Sequence, residues 1–170
     1  MKDPLHHDPL DALGEAYEKM FERAAKNLHK AEEKSGDLLH KLIDEAKNKA
    51  VELEELSRED AEKLSAYLKR DLSDAANYLS ETGRELEDWL GFEATLVESG
   101  IFDFLLKAAD KTTLTLLKMK ADAQQASAYR TGEITGAGTL VCDQCGENLH
   151  FRRAGKIPPC PKCHTTAFHR

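Results

Sequence analysis

The chain has 170 residues, of which 32% are charged, 41% hydrophobic and 6% aromatic, and its formal net charge is −7. That length fits one domain, or a larger piece with a small appendage, and the acidic balance argues against broad nucleic-acid binding and for solubility or protein partners. The charge is uneven: residues 1–129 hold 18 Lys or Arg against 28 Asp or Glu, and residues 130–170 hold six against three. We therefore expect two units, an acidic helical domain over 1–129 and a formally basic small domain over 130–170.

The start, Met1-Lys2-Asp3-Pro4-Leu5-His6-His7-Asp8-Pro9, has no apolar core of a signal peptide, and no later stretch approaches the ~20 apolar residues of a membrane span. A cytoplasmic protein with no membrane anchor is the expectation. His6 and His7 read as a solvated terminus in preference to metal ligands.

Up to about Tyr129 the pattern is helical. Leu10, Leu13, Tyr17, Met20, Ala24, Leu28 and Ala31 recur at three- and four-residue steps, which aligns them on one helix face. Ser35-Gly36-Asp37 interrupts this stripe. A second follows in Leu39, Leu42, Ala46, Ala50 and Leu53, with Ile43 beside it, and fades near Glu54-Glu55. Ser57-Arg58-Glu59-Asp60 has the form of a capping box and predicts a third helix, striped by Ala61, Leu64, Leu68, Leu72, Ala75, Leu79, Leu86 and Trp89. Gly83 and Gly91 mark weak points or ends of it. A fourth stripe uses Val97, Ile101, Phe104, Leu105, Ala108, Thr112, Leu116, Met119 and Ala123. Alanine-rich stripes with few aromatic residues suggest thin helices packed closely, as in coiled-coil hairpins or an elongated antiparallel bundle, with self-association into a homo-oligomer supplying further burial.

After Tyr129 the character changes. Thr131-Gly132-Glu133-Ile134-Thr135-Gly136-Ala137-Gly138 is too glycine-rich for helix and lacks the order of a phosphate-binding loop, so it reads as a flexible joint and first strand. All four cysteines of the chain follow, as Cys142-Asp143-Gln144-Cys145 and Cys160-Pro161-Lys162-Cys163. Each pair spans a tight turn that aims two sulfurs at one point. The fourteen residues from Gly146 to Pro159 allow a hairpin that brings the pairs together, one residue short of the usual ~15–20. Soft thiolates in this pattern call for a tetrahedral Zn2+ with Cys142, Cys145, Cys160 and Cys163 as ligands; iron, or two disulfides, is the alternative.

Strands are expected at Leu140-Val141, from Asn148 to Phe151 and at Ala167-Phe168, with Pro158-Pro159 stiffening the return, which together make a small β zinc ribbon. With four sulfurs filling the coordination sphere there is no open position for water, so the metal is structural. His164 follows Cys163 directly and is the histidine placed to replace a sulfur as ligand, while His150 and His169 fit either exposed strand positions or outer donors to the site. Arg152, Arg153 and Lys156 crowd the hairpin tip, either as a solvated basic turn or as a contact for phosphate or an acidic surface.

The run from Tyr129 through Thr139-Leu140-Val141 to Cys142-Asp143-Gln144-Cys145 resembles the junction and first knuckle of the YbeL-like family of bacterial zinc-ribbon-containing proteins. Leu56-Ser57-Arg58-Glu59, Arg70-Asp71-Leu72 and Ala109-Asp110-Lys111-Thr112 are similar to helical stretches of the same family, so the likeness spans the chain from about residue 15. It implies the helix-plus-ribbon architecture, a bacterial cytoplasmic setting and the same four cysteine ligands, and it implies no activity. His164 stands where a knuckle commonly has glycine.

Three function classes compete. A non-enzymatic adaptor, with acidic helices that self-associate or grip a protein and a ribbon that makes a second contact, uses all the strong features. A nucleic-acid-associated regulator would bind through Arg152, Arg153 and Lys156. An iron redox protein of the rubrerythrin type needs Glu-x-x-His pairs in its bundle. The residues three before the seven histidines are Asp3, Pro4, Lys26, Asp37, Glu147, Pro161 and Thr166, and only Glu147 with His150 fits, inside the ribbon. No Ser-His-Asp or Cys-His nucleophile can be assembled, and no enzymatic activity is expected.

Overall fold

The computed structural model describes residues 9–32, 35–82, 88, 90, 91 and 128–170. Three helices come first: α1 (Pro9–Lys30), α2 (Gly36–Glu52) and α3 (Arg58–Thr82). Most of the first three sequence stripes lies on their inner faces, but Leu53, expected on the second, falls just past the end of α2 and is 49% exposed. Tyr17, Met20, Phe21, Ala24 and Leu28 of α1, Leu39, Leu42, Ile43 and Ala46 of α2, and Leu64, Leu68, Leu72, Ala75 and Ala76 of α3 form one core. The fourth stripe, Leu86 and Trp89, and the pair His6 and His7 lie outside the described residues. Among the described residues no helix is long and apolar enough to cross a membrane.

The helix ends follow from local chemistry. Ser35, in extended conformation, caps α2 by accepting from the Leu38 N–H at 3.1 Å. α2 stops at a turn in which Glu54 takes a left-handed backbone, φ +56°. Ser57 then accepts the Asp60 N–H at 3.1 Å while its hydroxyl donates to the Asp60 carboxylate at 2.9 Å, the expected capping box. Between them, Glu55 ties the turn to α1: its two oxygens accept from Arg23 at 2.6 and 2.7 Å, and Lys19 adds a contact at 3.0 Å.

The β region has six short strands: β1 (Tyr129–Arg130), β2 (Ile134–Thr135), β3 (Gly138–Cys142), β4 (Asn148–Phe151), β5 (Gly155–Lys156) and β6 (Ala167–His169). Four form an antiparallel sheet in the order β1-β6-β3-β4, and β2 pairs with β5 in a second ribbon. Leu140 lies opposite Leu149 and Tyr129 opposite Phe168, so the side chains that share a face converge with Ile157, Cys142 and Cys160 on a small core.

The segment expected as a flexible joint is packed instead. Residues 134–138 are all buried, and Ile134 and Ala137, with Ala154 from the hairpin tip, belong to the helical core. At Gly14 on α1 a Cβ would lie 2.6 Å from the Ala154 carbonyl oxygen, so the absent side chain is what allows helix and hairpin to approach. The Thr139 hydroxyl donates to the Leu90 carbonyl, which fastens β3 to the chain after α3.

Candidate metal centre

Cys142 ends β3, Cys145 closes the first turn, and Cys160 and Cys163 form the second turn before β6. The four sulfurs lie within 4.8 Å of one another, and no other such cluster of His, Cys, Asp or Glu occurs among the described residues. The Cys142–Cys163 and Cys145–Cys160 sulfur separations are 3.5 and 3.6 Å, and all four cysteines are free. A tetrahedron with metal–sulfur distances of ~2.3 Å has sulfur–sulfur edges of about 3.8 Å. A disulfide would need ~2.0 Å. The spacing fits a single metal ion and excludes the disulfide alternative in this state.

Each knuckle is built the same way. The Cys145 N–H points at the Cys142 sulfur at 3.4 Å, and Gly146 N–H closes the turn on the Cys142 carbonyl at 3.0 Å. In the second knuckle His164 N–H closes on the Cys160 carbonyl at 2.9 Å. Gly146 has φ +72° and His164 φ +61°, so the histidine occupies the left-handed position that glycine fills in the first turn. It is exposed, outside the sulfur cluster, and serves the turn through its backbone.

The repeat has an electrostatic counterpart. Burial opposes ionisation of Cys142, but the N–H groups of Cys145 and Gln144 outweigh it and hold the thiol down at about 6. Cys160 is lowered in the same way, with burial outweighed by the Cys163 and Lys162 N–H groups. At Cys145 the Glu147 N–H favours the thiolate, yet burial and the neighbouring sulfurs push it up to about 12; Cys163 is also raised. The backbone N–H groups thus favour ionisation of the first cysteine of each knuckle over the second, and a bound cation would favour the thiolate form of all four.

The remaining predicted residues fall around this centre. His150 on β4 contacts the Thr139 hydroxyl at 2.8 Å, and His169 on β6 contacts Asp143 at 2.5 Å; both are exposed strand residues. Glu147, the one acid in Glu-x-x-His spacing, lies 3.6 Å from Lys162. Arg152, Arg153 and Lys156 are exposed, but the tip they flank is seated on α1. A cleft of about 260 Å³ at that seam is lined by Gly14, Glu15, Glu18, Lys19, Glu22, Arg153 and Ala154, and Glu18 accepts the Ala154 N–H at 3.3 Å.

A second constellation escaped the sequence reading. Asp71 of α3 is 4% exposed, and its Oδ2 accepts from the Tyr17 hydroxyl at 2.6 Å and from the Gly136 N–H at 2.7 Å. Arg70 pairs with Asp71 at 3.1 Å and Glu133 at 2.6 Å, donates to the Ile134 carbonyl at 3.1 Å and lies 3.9 Å from the Tyr129 ring centre. Arg170 donates to the Tyr129 hydroxyl at 3.0 Å and to Thr135 at 2.9 Å, and Tyr129 donates in turn to Asp74. Burial, with Asp71 beside it, keeps Tyr17 protonated well above the usual phenol range. The available signal was a charged residue between Leu68 and Leu72 on an apolar stripe, where an acid is rare unless paired.

Knuckles of this geometry on a short antiparallel sheet define a zinc-ribbon protein. The family described as having a zinc-ribbon containing domain matches residues 26–170, and the chain belongs to it, as the resemblance to YbeL-like proteins implies. The relatives named "Uncharacterized protein YbeL" from Escherichia coli K12, O6:H1 and O157:H7 are each 27% identical over 129 residues, covering 76% of this chain and 79% of theirs. No solved structure matches.

Proposed function

We propose that this is a non-enzymatic bacterial cytoplasmic adaptor in which Zn2+, held by Cys142, Cys145, Cys160 and Cys163, has a structural role. The observation that carries the metal reading is the set of four sulfurs within 4.8 Å on two matching knuckles. A tetrahedral all-sulfur site suits zinc or iron, and the family's description favours zinc. Four sulfur ligands leave no position for a reacting water, which supports a structural ion. The acidic helices, completed as an antiparallel bundle, would grip a protein partner or a second copy of the chain, with the ribbon making a second contact.

The exposed Arg152, Arg153 and Lys156 favour the second reading, nucleic-acid association. Their tip sits against Glu15, Glu18 and Glu22, which offsets its charge. The test is purification of the native chain, elemental analysis, and cross-linking in the native cytosol. One zinc per chain and protein cross-links on the helices are expected. A coloured, iron-bearing protein would overturn the zinc reading, and salt-sensitive capture of nucleic acid alone would overturn the adaptor.

A further inference from the structure

The metal site and the helices are joined by an unbroken series of contacts. Cys142 and Cys160 pack with Ile157 in the ribbon core, and Ile157 donates its N–H to the Glu133 carbonyl at 2.9 Å. Glu133 pairs with Arg70, which is on α3 and pairs with the buried Asp71. Asp71 receives one of its two shortest hydrogen bonds from the ribbon, the Gly136 N–H, and the other from Tyr17 of α1. A buried carboxylate is tolerated only while such donors stay in place. The Gly14–Ala154 approach adds a second point where helix and ribbon must fit, about one turn along α1 from Tyr17 and, on the ribbon side, well separated in sequence from Gly136.

From this we infer that the ribbon is a metal-dependent latch: metal binding and docking of the ribbon on α1 and α3 are linked, so metal loss frees the ribbon and uncovers the Tyr17–Asp71 face of the helices. The inference rests on the four-cysteine metal site proposed above. Linkage is reciprocal, so a change at the docking surface that touches no sulfur must weaken metal binding, by at most the factor by which metal loss weakens docking. α2, packed on α1 and α3 through Leu39 and Ile43, serves as the internal reference.

Zinc-loaded full-length chain, with the variants Gly14→Ala, Asp71→Ala and the exposed control Glu59→Gln, would be titrated with a chromophoric chelator, and amide exchange followed with and without zinc. Gly14→Ala is the sharper variant, because alanine favours the helix while its Cβ meets the Ala154 carbonyl. We expect zinc to be held about 5- to 10-fold more weakly by Gly14→Ala and about 10-fold or more by Asp71→Ala, with Glu59→Gln as wild type. Zinc removal should raise exchange at residues 13–21 and 68–76 more than in α2. Should Asp71→Ala fail to fold, Gly14→Ala decides alone. Wild-type zinc affinity in a folded Gly14→Ala, or unchanged exchange in α1 and α3 on zinc removal, overturns the latch and leaves the metal site standing; a wild-type chain that takes up no zinc overturns both.

Discussion

Two regions of this molecule obtain their rigidity from different sources. In the helices Leu39, Ile43, Leu64 and Leu68 are 0–2% exposed and sit among other aliphatic side chains, so burial of area alone accounts for a core there. In the ribbon the buried cluster has seven residues, and two of them are Cys142 and Cys160 of the candidate metal centre. A unit of about 40 residues rarely holds together on such a core without a metal or disulfides. The helices can therefore fold around hydrocarbon, whereas the small ribbon core would draw on a bound ion, and the seam between them combines apolar contacts of Ile134, Ala137 and Ala154 with the polar cluster around Asp71.

The largest expected effect separates the two regions outright. Cys160→Ser removes one of four ligands, a share of about 3 kcal/mol or more of the ~10–16 kcal/mol that small zinc units draw from the metal. Elemental analysis should show zinc lost or substoichiometric, with amides after residue 130 losing protection while α2 keeps its own. Equal loss throughout α2 would mean that the helices also depend on the metal.

Leu68→Ala acts from the other side. Leu68 is fully buried in α3, and truncation should cost about 2–5 kcal/mol through lost burial and the remaining cavity. Thermal melting with zinc present should show the drop. If the helices stand on their own area, the cost measured on the α2 amides should be the same after chelation.

His164 offers a smaller test within the ribbon. Its φ of +61° carries a Cβ penalty that Gly146 avoids in the first knuckle. His164→Gly should stabilise the zinc-loaded ribbon by up to about 1 kcal/mol, read as slower zinc release and slower exchange after residue 155. A destabilised variant would show that the imidazole itself supports the turn.

How far these features could be read in the sequence depends on the range of the forces involved. The 3.6-residue stripes of Leu64, Leu68 and Leu72 and the Ser57 capping box are local patterns, and the cysteine spacing imposes its own turns, so all were legible. Of the joint and first strand expected over residues 131–138, the strand is present at β2, but the flexibility is not, because the burial of 134–138 comes from Asp71, Tyr17 and Arg170, distant in sequence and brought near only by the tertiary fold. β2 and β5 have two residues each, too few for a period-2 pattern, and exist because α1 and α3 cover them. The reason for a glycine at position 14, inside a helix, lies 140 residues away at Ala154 and so has no local sequence signal.

The smallest effect belongs wholly to the helices and carries a pH signature. Hydrogen bonds from Arg23 first, and Lys19 second, lower the Glu55 carboxyl from its ordinary 4.5 to about 2. Because the folded value is depressed, the contribution is complete above about pH 4.5 and is lost as the pH falls through about 2. Glu55 and Arg23 are 28% and 25% exposed, and Lys19 is 56% exposed, so screening reduces the gain to about 0.5 kcal/mol. Glu55→Gln should lower helix stability by that amount at pH 7 and by progressively less below pH 4.5, measured by urea denaturation followed in the far ultraviolet. The same difference should appear with and without zinc, because the turn it pins lies between α2 and α3. A zinc-dependent difference would show that the ribbon's hold on α1 reaches as far as Arg23.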